Sequence, residues 1–167
     1  MGPEQLGPLI DAHAAALTLF ARQWCAAPED VVQEAFLKLA GTEPPPHRPL
    51  PWLYAVVRNG ALSAARAERR RRTHEGRAAA RTPAWFVPAE PTGLDAAAAT
   101  AALAQLPAEQ REAVVAHVWG GLTFDEIGEL TETSAATAYR RYAAGLAALR
   151  DKLRVPCPTP NRPATPS

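Results

Sequence analysis

The sequence has only two cysteines, Cys25 and Cys157, far apart and without the close spacing of a metal-binding pair. Neither a zinc site nor a disulfide framework is indicated, and both are expected to be incidental thiols. No apolar run approaches the roughly 18 residues of a membrane span. No charged start leads into a cleavable apolar core, so a cytoplasmic location is expected. Signatures of catalysis are missing as well. No Ser or Cys stands near a His in a recognisable nucleophile motif, no Gly-rich phosphate loop occurs, and no carboxylate pair is placed for acid–base work. The chain is therefore expected to be no enzyme, and to need neither metal nor cofactor. His13, on or near an apolar stripe with no partner at ligand spacing, is expected to be structural.

What is present is alanine and proline in 167 residues, with 17 prolines, a composition that suits helices broken by linkers in one ordinary domain or two small ones. The net charge of +1 is small for a nucleic-acid binder, but it averages two opposed segments. Residues 58–81 hold eight arginines against Glu68 and Glu75, and residues 109–132 hold six acids against Arg111. Affinity for nucleic acid should therefore rest on a local patch after residue 58 rather than on the whole surface.

Residues 27–72 are the most informative run. Pro28 suits the first helical position, and the acids behind it suit the dipole of a helix start. Val32, Ala35, Phe36 and Leu39 fall at helical spacing for burial, which puts Asp30, Gln33 and Glu34 on a solvated face. Thr42 to Pro51 carries five prolines and is expected to be a stiff extended loop, with His47 and Arg48 as its strong donors. A helix from Pro51 should bury Leu53, Val56 and Val57 while turning Trp52, Asn59 and Ser63 to another side. It ends in a cationic stretch, Arg66 to Arg72, suited to phosphates.

Asp30-Val-Val-Gln-Glu-Ala-Phe-Leu37, followed by Trp52-Leu-Tyr54 and then Arg58-Asn59, resembles domain 2 of a bacterial sigma-70 factor of the extracytoplasmic-function group. The resemblance implies that Asp30, Gln33, Glu34 and Leu37 bind the clamp helices of core RNA polymerase. It also implies that His47, Arg48, Trp52, Tyr54, Arg58, Asn59, Ser63, Arg69 and Arg70 hold the minus-ten promoter strand. In the family the corresponding loop reads a flipped-out base, and its proline content here departs from the more polar family loops, so no base preference is carried over.

Upstream, Leu6, Leu9, Ile10, Ala14, Leu17, Phe20, Ala21 and Trp24 predict a helix from about Gln5 to Trp24. Downstream, Leu94, Ala98, Ala101 and Leu106 form a weak stripe. Pro107 then suits a first helical position, opening a helix through Trp119 with Val114, Val115, Val118 and Trp119 inward, and Gly120-Gly121 ends it. Thr123-Phe-Asp-Glu126 is a capping box for a short helix through Leu130. Ser134 caps a long one with Ala138, Tyr142, Leu146, Leu149 and Leu153 inside.

Short helix, tight turn and long helix make a helix-turn-helix. The part from Leu106 to Leu153 is similar to sigma domain 4, which implies that Ser134, Thr137, Tyr139, Arg140 and Arg141 meet the minus-thirty-five element. Glu132 and Thr133 stand in the turn where that family usually has Gly and an aliphatic residue. Ala143, Ala144 and Leu146 stand where basic residues are frequent.

The expected organisation is all-α: a sigma region 2-like domain at 5–72, a linker at 73–93, a region 4-like domain at 94–153 and a disordered Pro-rich tail at 154–167. Trp85-Phe86 in the linker is expected to dock on a domain or to hold the two together. Core RNA polymerase and promoter DNA are the partners implied, with control in trans by an anti-sigma factor left open. The alternative is a stand-alone helix-turn-helix regulator that uses only the second half. Whether the two domains touch is not decided by the sequence.

Overall fold

The computed structural model describes residues 3–74 and 96–153. Seven helices and no strand occur among them: α1 (Pro3–Ala21), α2 (Pro28–Gly41), α3 (Pro49–His74), α4 (Ala96–Ala104), α5 (Ala108–Val118), α6 (Phe124–Leu130) and α7 (Ala135–Leu153). The last two residues of α3 fall within the stretch expected as linker. The rest of that stretch, with Trp85 and Phe86, lies outside the described residues, as do Leu94, Cys157 and the expected tail.

The first three helices pack on one another. In α2, Pro28 stands at the helix start with Glu29 and Asp30 in the first turn, and Val32, Ala35, Phe36 and Leu39 are buried as their spacing predicts. α3 begins at Pro49, inside the stretch expected as loop. Pro49 and Pro51 both fit because the first-turn N–H groups they lack have no partner within the helix. Trp52 N–H already donates to the Arg48 carbonyl at 3.3 Å, so the helical ladder starts at once.

In the second half α7 packs on α4, α5 and α6. Two glycines make this possible. A Cβ at Gly145 would come within 2.8 Å of Val114 Cγ2, so α5 and α7 approach through the missing side chain. A Cβ at Gly128 would meet the Thr133 carbonyl oxygen at 2.8 Å and the Ala135 nitrogen at 3.1 Å. These are backbone atoms that cannot step aside, so Gly128 seats α6 on the turn.

The capping box forms as expected. Thr123 Oγ1 accepts from Glu126 N–H, and Glu126 Oε2 accepts from Thr123 N–H at 2.7 Å. Ser134 Oγ accepts from Thr137 N–H at 3.2 Å and caps α7. Between them Glu132 adopts φ 55°, a left-handed conformation without the glycine that would relieve it. Glu132→Gly should therefore raise stability by roughly 0.5–1 kcal/mol, the relief of left-handed strain less the added freedom of the unfolded chain. Thermal melting checks this, and a lower melting temperature would contradict it.

Three expectations are corrected. Pro107 is the residue before α5 rather than its first turn. Val118 and Trp119 are 51% and 46% exposed, because α5 ends at Val118 and the chain turns away before a further buried position arises. In α4 burial falls on Ala102 and Leu103, with Leu106 buried just beyond the helix as expected, whereas Ala98 and Ala101 are exposed.

The two halves share one continuous apolar core. Leu17, Phe20, Leu53, Tyr54 and Val57 belong to the same buried cluster as Val114, Val115, Leu122 and Ile127. α1 meets α5 and α3 meets α6. At the seam a Cβ on Gly120 would lie 2.5 Å from Tyr54 Oη, so only glycine lets the second half close on the tyrosine. The question the sequence leaves open is thus answered: the halves pack together.

Candidate functional site

The outward face of α2 carries Asp30, Gln33, Glu34 and Leu37, all exposed. Leu37, at 65% exposure, is among the most exposed large apolar side chains described. Next to it an open groove of about 380 Å³ runs between α1 and α2, lined by Leu6, Ile10, Val32, Gln33, Phe36 and Leu37. Acidic rim, apolar floor and one protruding leucine form a surface suited to a partner that is both basic and apolar. Glu34 bonds Lys38 at 2.8 Å within the helix, an exposed pair that leaves the face net acidic.

α3 carries the second surface. Asn59 and Ser63 are exposed and Trp52 is half-buried on the core. Tyr54 is not with them. It is fully buried, its ring edge-on to Phe20 at 4.9 Å and 67°. The buried stripe Leu53, Tyr54, Val57 and Ala61 is wide enough to take Tyr54 inward, so it is a core residue in this packing and not a strand contact. Burial raises its hydroxyl pKa far above the ordinary tyrosine value, and Oη has no partner among the protein atoms described.

Farther along α3 Glu68 accepts from Arg71 at 2.6 Å and from Arg72 at 2.9 Å, and these bonds hold its carboxyl below the ordinary value. Arg66, Arg69 and Arg70 have no ion pair among the described residues. With Thr73 they line an open cleft of about 350 Å³. Cations without an ion pair among the described residues, gathered on one helix face, have the charge and spacing that suit phosphate groups.

Arg48 and Arg58 are held by the second half of the chain. Arg58 Nε donates to Glu112 Oε1 at 2.6 Å. Arg48 pairs with Glu126, and its other terminal nitrogen lies 3.6 Å from Glu129 Oε2. His47 is exposed beside it.

Glu112 is the one buried acid among the described residues. Burial raises its carboxyl above the ordinary 4.5, and the Arg58 bond, the charge of Arg58 and the more distant charge of Arg141 oppose that rise without cancelling it, while Glu109 adds to it. The folded chain thus holds this proton more tightly than the unfolded chain. The group favours folding at low pH and penalises it as pH rises from 4.5 through the raised value. Glu112→Gln removes that dependence, so its melting temperature relative to wild type should rise with pH above 4.5. Melting at pH 5 and pH 8 tests this, and a constant difference would contradict it.

On the helix-turn-helix, Ser134, Tyr139 and Arg140 are exposed and Thr137 is half-buried at the start of α7. Arg140 donates to Thr137 Oγ1 at 2.9 Å, and Tyr139 lies edge-on to Phe124 at 5.3 Å while 54% exposed. Arg141 differs from the expectation. It pairs with Glu109 of α5 at 3.1 Å and its side chain is only 24% exposed, so it ties α7 to α5.

Sequence reasoning also missed an aromatic cluster beneath the helix-turn-helix. His117 stacks on Phe124 at 4.5 Å and meets the edge of Tyr142, while its Nδ1–H donates to the Leu122 carbonyl at 2.7 Å. Cys25 is buried against the Ala21 carbonyl, and burial pushes its thiol pKa up, which makes it unreactive.

Comparison with known proteins matches both halves. Residues 9–71 match the model for sigma-70 region 2, and residues 96–149 match sigma-70 region 4. The RNA polymerase sigma factor CarQ of Myxococcus xanthus is 34% identical over 128 residues, covering 75% of this chain and 74% of that protein. The sigma factor RpoE of Bartonella quintana, solved in complex with the anti-sigma factor NepR, has the same fold with a TM-score of 0.74 at 22% identity. The likeness covers 91% of this chain and 98% of that one. Matching both regions in order, with a sigma factor as a 34% identical relative, this chain belongs to the sigma-70 family of RNA polymerase sigma factors, in its extracytoplasmic-function group.

Proposed function

We propose that the chain docks on core RNA polymerase through Asp30, Gln33, Glu34 and Leu37 of α2 and captures the opened minus-ten strand along α3. Trp52 and Asn59 supply stacking and hydrogen bonding there. Ser63, Arg69 and Arg70 follow the sugar–phosphate backbone, and Arg48 and Arg58 join them once free of their glutamates. Ser134, Thr137, Tyr139 and Arg140 meet the minus-thirty-five duplex, with α7 in the major groove.

The observation that carries this reading is the division of labour on one body. α2 carries an acidic, apolar-floored face, α3 a cationic strip without ion pairs among the described residues, and the helix-turn-helix exposes Ser134, Tyr139 and Arg140. A factor of this kind acts through binding energy and not through bond-making chemistry. We place it in the cytoplasm, where core polymerase and promoters are, and assign an anti-sigma partner to the faces of α2 and α3. No helix among the described residues is long and apolar enough to cross a membrane.

Stacking of one base on an aromatic side chain contributes about 1–3 kcal/mol. Trp52→Ala with Asn59→Ala should therefore slow open-complex formation on a cognate promoter by about tenfold to a hundredfold. Core-polymerase binding should be unchanged. Permanganate footprinting of the melted region gives the rate, and undiminished melting would contradict the assignment.

A further inference from the structure

We propose that Asp125 and Glu132 act against duplex DNA. Their charges oppose the phosphate backbone at the helix-turn-helix, so that α7 holds a duplex only weakly when the chain is alone. This rests on the assignment of α7 to the minus-thirty-five duplex and adds two residues that govern how hard that duplex is held.

When a helix-turn-helix docks, its second helix enters the major groove and its first crosses the sugar–phosphate backbone. The charges of α6 and the turn have the wrong sign for that crossing. Asp125, Glu129 and Glu132 recur at i, i+4 and i+7, and all three are exposed, while Ile127 and Gly128 take the buried side. Glu129 has Arg48 at 3.6 Å, whereas Asp125 and Glu132 have no ion pair among the described residues. On α7 there is little to offset them. Arg140 is exposed and without an ion pair, but Arg141 is tied to Glu109 at 3.1 Å. The next cation, Arg150, stands about 15 Å farther along the helix. Affinity for duplex comes from cations on phosphates, and acids among them subtract from it.

Solubility alone does not account for Glu132. It holds φ 55°, where glycine would be relaxed and asparagine tolerated. The turn closes through backbone bonds, Thr131 N–H to the Ile127 carbonyl at 3.0 Å and Thr133 N–H to the Gly128 carbonyl at 2.8 Å, and needs no carboxylate. A strained residue whose charge the fold does not use points to a role outside the fold. Ser134, which caps α7, follows two positions later. The carboxylate therefore belongs to the turn that leads into the helix start a phosphate would approach.

The test uses the full chain and compares wild type with Asp125→Asn, Glu132→Gln, which keeps side-chain size and removes only charge. A control, Glu4→Gln, Asp11→Asn, makes the same charge change at exposed positions of α1. The probes are a short fluorescent duplex of mixed sequence and one of its single strands, read by anisotropy from low to high salt. The charge variant should bind the duplex about tenfold tighter than wild type at low salt, with the gain shrinking as salt screens exposed charges. Its affinity for the single strand should be unchanged, because the strand runs on α3, and the control should match wild type on both probes.

Adding Tyr139→Ala and Arg140→Ala to the charge variant should remove most of the gain. Unchanged duplex affinity in the charge variant, or a gain matched by the control or by the single strand, overturns the proposal. The assignment of α7 survives that result if Tyr139→Ala, Arg140→Ala weakens duplex binding by the wild-type chain. If the charge variant tightens on the duplex but the α7 substitutions leave its affinity untouched, the duplex lies elsewhere, and the assignment of α7 fails and takes the proposal with it.

Discussion

Tyr54→Ala should destabilise the chain by about 3–5 kcal/mol, the usual cost of deleting a buried aromatic ring. Tyr54 is fully buried, contacts Phe20 edge-on at 4.9 Å and lies under Gly120 at the seam, so its loss opens a cavity where the two halves meet. At roughly 3 °C per kcal/mol for a chain of this size, the melting temperature should fall by about 10–15 °C.

Tyr54→Phe behaves differently. It keeps the ring and removes a hydroxyl with no protein partner, so it should be neutral or gain up to about 1 kcal/mol. It should also leave promoter melting intact. The pair of variants separates a core residue from a strand contact. A strand contact through Oη would give the reverse pattern, with stability held and promoter melting impaired in Tyr54→Phe.

Tyr54 also shows where sequence reasoning ends. The periodicity of α3 marks Leu53 and Val57 as inward, and the tyrosine beside them is compatible with either face of a wide stripe. What decides is Gly120, contributed from the other half of the chain. No local pattern contains that contact. The same holds for Arg58 and Arg48, whose partners lie 54 and 78 residues away. The opposed charge of residues 58–81 and 109–132 was legible as composition. That Glu112 turns to Arg58 became visible only in the fold.

What the sequence did express was local physics. The acids and proline at the start of α2, its buried stripe, the Thr123–Glu126 capping box and the Ser134 cap each depend on residues within a turn or two, and each stands as expected. The run of prolines is loop only as far as Arg48, since α3 begins at Pro49. Proline is compatible with a first helical turn as well as with a loop, and Trp52 N–H donating to Arg48 shows which applies at Pro49 and Pro51. Val118 and Trp119 continue the apolar run of α5 but follow the turn of the helix past its covered side, so they emerge into solvent.

The role assigned to α2 depends on charge at two exposed positions. Asp30 and Glu34 lie one helical turn apart, and the pairing of Glu34 with Lys38 is an exposed contact of small energetic weight. Asp30→Arg with Glu34→Arg should therefore cost the fold little, at most about 1 kcal/mol from the lost first-turn acid and new repulsion with Lys38. The effect on a basic partner should be much larger, because two attractive charges become two repulsive ones. Like-charge juxtaposition across an interface costs several kcal/mol, so binding should weaken by about a hundredfold or more.

The most direct measurement is retention of purified core RNA polymerase by the immobilised full chain, wild type against Asp30→Arg, Glu34→Arg, at two salt concentrations. The account predicts that wild type retains polymerase at both and that the variant, with unaltered helical content and a melting temperature within about 3 °C of wild type, retains it at neither. Equal retention by the two chains would contradict the docking face assigned to α2. Failure of the wild-type chain to retain polymerase at either salt would contradict its action as a sigma factor.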